Sequence, residues 1–233
     1  TLGEDFMVPA DAEMVIEGHV LPNVKEVEGP FGEFTGYYGP QRMRNIIEVS
    51  AITHRRDAVF QHIFTGHRVA WVPGGIPKEG SLFNLIRGVV PTVKAVHFPI
   101  SGGCRFNCYI SIDKKVDGET KQAALAALGG WHFVKHVVVV DDDINIYNEE
   151  EVMWATATRV QADQDVDIIK NVKGNTLDPS QTDNIMTAKM IIDATKPVQR
   201  PYEARVAVPK AAMEKTRLED FIPRPVLDRV PKV

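Results

Sequence analysis

Glu28 and Glu33 bracket the segment Glu28-Gly29-Pro30-Phe31-Gly32-Glu33. Five residues apart on a regular strand, they would point to opposite faces. Gly29-Pro30 and Gly32 permit a sharp bend that brings both carboxylates to one cavity. Paired carboxylates in a partly dry pocket can split their pKa values, one held ionised and the other kept protonated as an acid. The same spacing also describes a solvated turn with two surface glutamates, and taken alone it favours that reading.

Other residue groups offer weaker chemistry. Asp141-Asp142-Asp143 could supply hard oxygen ligands to Mg²⁺ or Mn²⁺ as a metal hydrolase would. Val72-Pro73-Gly74-Gly75-Ile76-Pro77 has too little helix signal after it for a phosphate loop and reads as a mobile surface loop over a substrate opening. His54, His62 and His67 fit no metal signature. Cys104 and Cys108 would share a face of a strand over Cys104–Ile112, too far apart for a disulfide. Zinc would need two more ligands, and His97 and His132 are not at motif spacing, so buried free thiols are expected. Trp71, Trp131 and Trp154 read as packing residues, Trp154 on the apolar face of its helix. Lys114-Lys115 and Arg55-Arg56 read as solvated turns.

These residues need elements to hold them. Ala12–Glu17 is β-prone and leads to a polar turn at Pro22-Asn23. Residues 26–40 hold four glycines and two prolines and cannot be a helix interior. Asn45–Ile52 and Ala58–Thr65 are strand-like. From about residue 78 the pattern alternates: a helix over Glu79–Arg87, strands over Thr92–Phe98 and Phe106–Asp113, and an alanine-rich helix over Glu119–Leu128 closed by Gly129-Gly130. The valine run in His136–Val140 marks a strand buried on both faces. A helix follows over Glu149–Arg159, with Asn148 as N-cap and three glutamates complementing its dipole, then a strand over Val166–Ile169. After Pro197 the chain is punctuated by prolines, with one helical stretch at Lys210–Phe221. Alternating strands and helices argue for an α/β layer on one sheet.

The 233 residues suffice for one large domain or two modest ones. A formal charge of −4 gives no basic excess for nucleic acid. The longest apolar runs are strand-sized, so no transmembrane segment is expected, and no signal peptide is visible. The start at Thr1 without methionine suggests that sequence is missing upstream.

Glu28 to Tyr38 (Glu-Gly-Pro-Phe-Gly-Glu-Phe-Thr-Gly-Tyr-Tyr) resembles the signature of the UbiD family of reversible decarboxylases. The similarity continues in order through Pro9–Glu13, Ser101–Phe106, Val137–Ile144, Val152–Arg159 and Lys189–Lys196. It implies an α+β fold: residues 1–88 ending a split β-barrel-like flavin domain, 89–197 an α/β C-terminal domain, and 198–233 a linker and tail helix at a subunit interface. It implies reversible non-oxidative decarboxylation of an aromatic or α,β-unsaturated carboxylic acid with prenylated FMN, a divalent metal (Mn²⁺) and K⁺. Glu33 would be the proton donor, and Glu28 would tune it through an arginine of the family's Glu-Arg-Glu network. That arginine, the metal ligands and the flavin anchor have no matching positions here and are expected upstream, so the isolated fragment should be inactive. The resemblance also replaces the metal-hydrolase reading of Asp141-Asp142-Asp143 with a strand-to-helix connection. Implied partners are the upstream part of the enzyme, a flavin prenyltransferase supplying cofactor, and further copies in a dimer or hexamer, in the cytoplasm. The alternative is a non-catalytic module supplying assembly and pocket walls.

Overall fold

The computed structural model describes residues 5–181 and 185–229. They fall into two compact units that divide between Val198 and Gln199.

The first unit contains two sheets. Strands β1 (Met14–Glu28) and β2 (Arg42–His54) form a two-stranded antiparallel ribbon. The polar turn expected at Pro22-Asn23 lies inside β1. There the register jumps from Val20↔Ile47 to Lys25↔Asn45, and a bulge absorbs the intervening residues, with Asn23 at φ 62°. Ala58–Thr65, expected to be strand-like, has no regular strand. The cross-strand pairs Ile16–Ile52, Val20–Ile47 and Val27–Met43 are all more than half exposed. An isolated two-stranded ribbon buries too little to be stable alone, and no closed barrel exists among the described residues.

The second sheet has the order β3-β4-β5-β7-β6, built from β3 (Val93–His97), β4 (Asn107–Ile112), β5 (His136–Asp141), β6 (Val166–Lys173) and β7 (Met186–Ala194). β4, β5 and β7 run parallel, and β3 and β6 are antiparallel edges. Each central strand divides its side chains by parity. Cys108, Ile110, Val137 and Val139 enter one core with helices α1 (Arg68–Val89) and α2 (Glu119–Gly130). Tyr109, Val138 and Val140 enter the other with Val152 and Ala155 of α3 (Glu149–Arg159). Helices on both faces explain the unbroken valine run. The Asn148 side chain accepts from the Glu150 N–H at 3.1 Å, the expected N-cap.

Three expectations change for packing reasons. Val72–Pro77 is not a loop but lies within α1, which tolerates Pro73 and Pro77 inside it. Each proline costs a free helix about 3 kcal/mol. Leu82, Ile86 and Gly75 are buried and offset that cost. At Gly75 an added Cβ would stand 2.7 Å from the Cys104 Cβ, so glycine lets α1 seat directly on the turn before β4. Gly129 and Gly130 are not caps but the last residues of α2, which Trp131 caps. A Cβ at Gly130 would meet Leu82 at 2.9 Å, so this glycine admits α1. Trp154 is not on the buried face of α3; it is 40% exposed, with the Arg159 guanidinium 5.6 Å above its ring.

Cys104 precedes β4 in a turn, at φ 51°, rather than sharing a strand with Cys108. Both thiols are free and buried, and burial raises both pKa values. The second unit holds α4 (Lys210–Lys215), a 3₁₀ turn at Leu218–Asp220 and α5 (Arg224–Leu227). The single helix expected over Lys210–Phe221 is thus shorter and broken. Val206, Met213, Leu218 and Phe221 are exposed. No described helix is long and apolar enough to cross a membrane.

Candidate active site

Glu28 is the last residue of β1, and its carboxylate pairs with Arg44 of β2 at 3.3 Å, both side chains about half exposed. The chain then folds into a narrow hairpin. The Gly39 N–H donates to the Phe31 carbonyl at 3.0 Å, Gly32 bridges Tyr38, and the Glu33 N–H donates to the Tyr37 carbonyl at 2.9 Å. Gly36, at φ 79°, closes the tip by donating to the Glu33 carbonyl at 3.0 Å. This left-handed position is the one the turn reserves for glycine.

Phe34 anchors the hairpin. It is buried, with ring centroids 5.4 Å from Phe106 and 5.5 Å from Phe133. The Arg105 guanidinium sits 4.5 Å from its ring, and burial lowers the arginine's pKa. The Trp71 indole N–H donates to the Phe34 carbonyl at 2.6 Å. The backbone immediately after Glu33 is therefore held from α1.

Beside this anchor lies a cavity of about 400 Å³. Helix α1 supplies Val72, Ile76 and Glu79, the end of β3 supplies His97, the loop into α3 supplies Tyr147, and α3 supplies its first residue, Glu149. Val72 follows Trp71, and the lining residue Cys104 precedes Arg105, so acid-bearing hairpin and cavity share two stretches of wall. The cavity is mostly apolar with a few fixed polar groups, the composition of a small-molecule site. His97 Nδ1 lies 2.8 Å from the Glu79 carboxylate, which also accepts the Phe98 N–H at 2.8 Å. The Tyr147 ring packs 5.0 Å from His97. Glu149, in the first turn of α3, accepts from the Ser101 hydroxyl and from the Tyr109 phenol, the latter at 2.7 Å. Burial, then the bond to Glu149, pushes the Tyr109 pKa up.

Asp141–Asp143 forms the expected strand-to-helix connection. Arg159 donates to Asp141 at 2.6 Å and to Asp143 at 3.0 Å, and Lys196 donates to Asp141 through its backbone and to Asp143 through its ammonium. Burial raises the Asp141 pKa, whereas Arg159 and Lys196 hold that of Asp143 low against burial. The Asp141 and Asp143 carboxylates are committed to internal cations. Among the described residues no group of three or more His, Cys, Asp or Glu is placed to hold a metal.

Sequence reasoning singled out Glu28 and Glu33 but missed Glu79, Tyr147 and Glu149 and treated His97 only as a failed zinc ligand. They come from separate elements and carry no shared spacing. Phe34 was inside the quoted signature, yet only the fold reveals it as an anchor.

Residues 1–68 match the 3-octaprenyl-4-hydroxybenzoate carboxy-lyase Rift-related domain, and residues 72–194 match the C-terminal domain of the same carboxy-lyase. The chain belongs to the UbiD family of carboxy-lyases. It superposes on the UbiD-class enzyme HmfF of Pelotomaculum thermopropionicum, solved in complex with FMN, at a TM-score of 0.86 and 49% identity, covering 92% of this chain and 48% of that one. An evolved dimeric form of that enzyme, in complex with prFMN, matches at a TM-score of 0.78 and 46% identity over 92% and 46% of the two chains. The anhydromevalonate phosphate decarboxylase of Methanocaldococcus jannaschii is 40% identical over 83% of this chain and 46% of its own length. The phenolic acid decarboxylase of Sedimentibacter hydroxybenzoicus is 36% identical over 91% and 46%. The chain spans about half the length of these relatives.

Proposed function

We propose that this chain is the part of a prenylated-FMN-dependent decarboxylase that delivers the proton and walls the substrate pocket. The substrate is an aromatic or α,β-unsaturated carboxylic acid. The observation that carries the reading is the pinned hairpin of Glu33, whose supports Trp71 and Arg105 are chain neighbours of Val72 and Cys104 in the wall of a largely apolar cavity. Electron density released as CO2 departs would be taken up by the prenylated flavin. Glu33 then donates its proton to the carbon that carried the carboxylate, and in the reverse direction acts as base. Glu28 tunes Glu33 through an upstream arginine. Within this chain its partner is Arg44.

The donor set fits the substrate side of such a site. It does not fit the flavin phosphate or a divalent metal: Val72–Pro77 is helix, and the described residues hold no metal cluster. No step is routed through Mn²⁺ or K⁺, whose ligands we assign to upstream sequence. The exposed apolar pairs of the β1–β2 ribbon favour the same dependence on upstream strands. The chain alone is then an inactive module of assembly and pocket walls.

The test is Glu33→Gln in the full-length holoenzyme, prepared with a flavin prenyltransferase. Removal of a positioned general acid should cost about 10²–10⁴-fold in turnover, read as CO2 release from a panel of aromatic and acrylic acids. Unchanged turnover in Glu33→Gln would remove it as proton donor.

A further inference from the structure

We propose that Gly39 is a positioning residue for Glu33: its missing side chain is the notch in which the Glu33 carboxylate lies. The inference rests on the reading of Glu33 as proton donor.

Gly29 and Gly36 have backbone reasons to be glycine, at φ 81° and 79°. Gly39 has none, since it lies outside the left-handed region. What it leaves open is space. A Cβ built there would stand 2.9 Å from the Glu33 Cγ, 3.1 Å from Oε1 and 3.4 Å from the carboxyl carbon. All three atoms belong to the Glu33 side chain.

The hairpin cannot yield by drifting apart. Gly39 is tied to Phe31 at 3.0 Å, Glu33 to Tyr37 at 2.9 Å, and the next residue is held by the Trp71 indole. The movable part is the Glu33 side chain, which has to turn about its own torsions to clear the added methyl. A methyl group at position 39 therefore moves the acid and leaves its backbone in place. Displacing a reacting group by about 1 Å costs on the order of 10²-fold in rate.

The experiment is Gly39→Ala in the holoenzyme, alone and combined with Glu33→Gln. The expected result is a fall in kcat of roughly 10- to 100-fold with little change in KM, and no further loss when Gly39→Ala is added to Glu33→Gln. A crystal structure of Gly39→Ala should show an unmoved hairpin and a rotated Glu33. An unmoved Glu33, or a further loss in the Glu33→Gln background, overturns the proposal. Should Gly39→Ala lower the melting temperature, adding Glu33→Ala must restore it; failure to do so places the clash elsewhere and overturns the proposal. Should Glu33→Gln keep full turnover, the proton-donor reading fails, and the notch is judged on the Glu33 rotamer in that crystal structure.

Discussion

The five-stranded sheet and the two-stranded ribbon were made by opposite strategies. In the sheet, Ile110, Ile112, Val137, Val139 and Val140 are wholly buried, and both faces are covered by helices of the same chain. In the ribbon, Ile16, Val20, Ile47 and Ile52 pair across strands yet stay more than half exposed. Glu28 and the hairpin of Glu33 hang from the ribbon, not from the sheet. The acids sit on the element least able to stabilise itself and are steadied at one point, Phe34, by the element best able to do so.

Several substitutions would break or sharpen this contrast. Ile110→Ala should have the largest effect, about 2–5 kcal/mol of stability, because its wholly buried side chain fills the core between the sheet and helices α1 and α2. Urea unfolding of the chain measures it.

Lys189 comes next. It is buried on β7, its ammonium donates to the Leu128 carbonyl near the end of α2 at 3.1 Å, and burial lowers its pKa. Between that lowered value and the ordinary value of about 10.4, the unfolded chain binds more protons than the folded one, so stability rises with pH. Each unit of lowering is worth about 1.4 kcal/mol. Stability from unfolding curves between pH 7 and pH 10 should rise relative to that of Lys189→Met, which lacks this contribution while keeping the opposing one of the buried thiols.

Asn148→Ala should cost about 1 kcal/mol through loss of the α3 cap, measurable as a lower urea midpoint. The smallest effect is expected of Ile47→Ala, within about 0.5 kcal/mol in this chain because its side chain is exposed. The same change in the full-length protein should cost more once upstream strands cover the ribbon. An equal cost for Ile47→Ala and Ile110→Ala in this chain would erase the contrast.

The sheet was the more legible of the two regions. The valine run and the Asn148 cap are local signals, and β5 and α3 follow from them. β7 was not read as a strand, because Lys189 and Asp193 interrupt its apolar residues while both find partners inside the fold. The first half of α1 was unreadable for the opposite reason: its prolines and glycines speak against a helix, and only packing on Cys104 and α2 sustains one. The catalytic candidates were visible through the ordered resemblance and not through spacing. The cavity was invisible because tertiary structure alone assembles its lining.

Trp71 and Val72 are neighbours on α1, one bonded to the carbonyl behind Glu33 and the other facing the cavity. The helix thereby works as a lever with the acid-bearing hairpin on one arm and the pocket wall on the next. A bulkier residue at position 72, introduced to reshape the cavity, would also push on the hairpin that carries Glu33, so on the proposed reading selectivity and rate would be geared together.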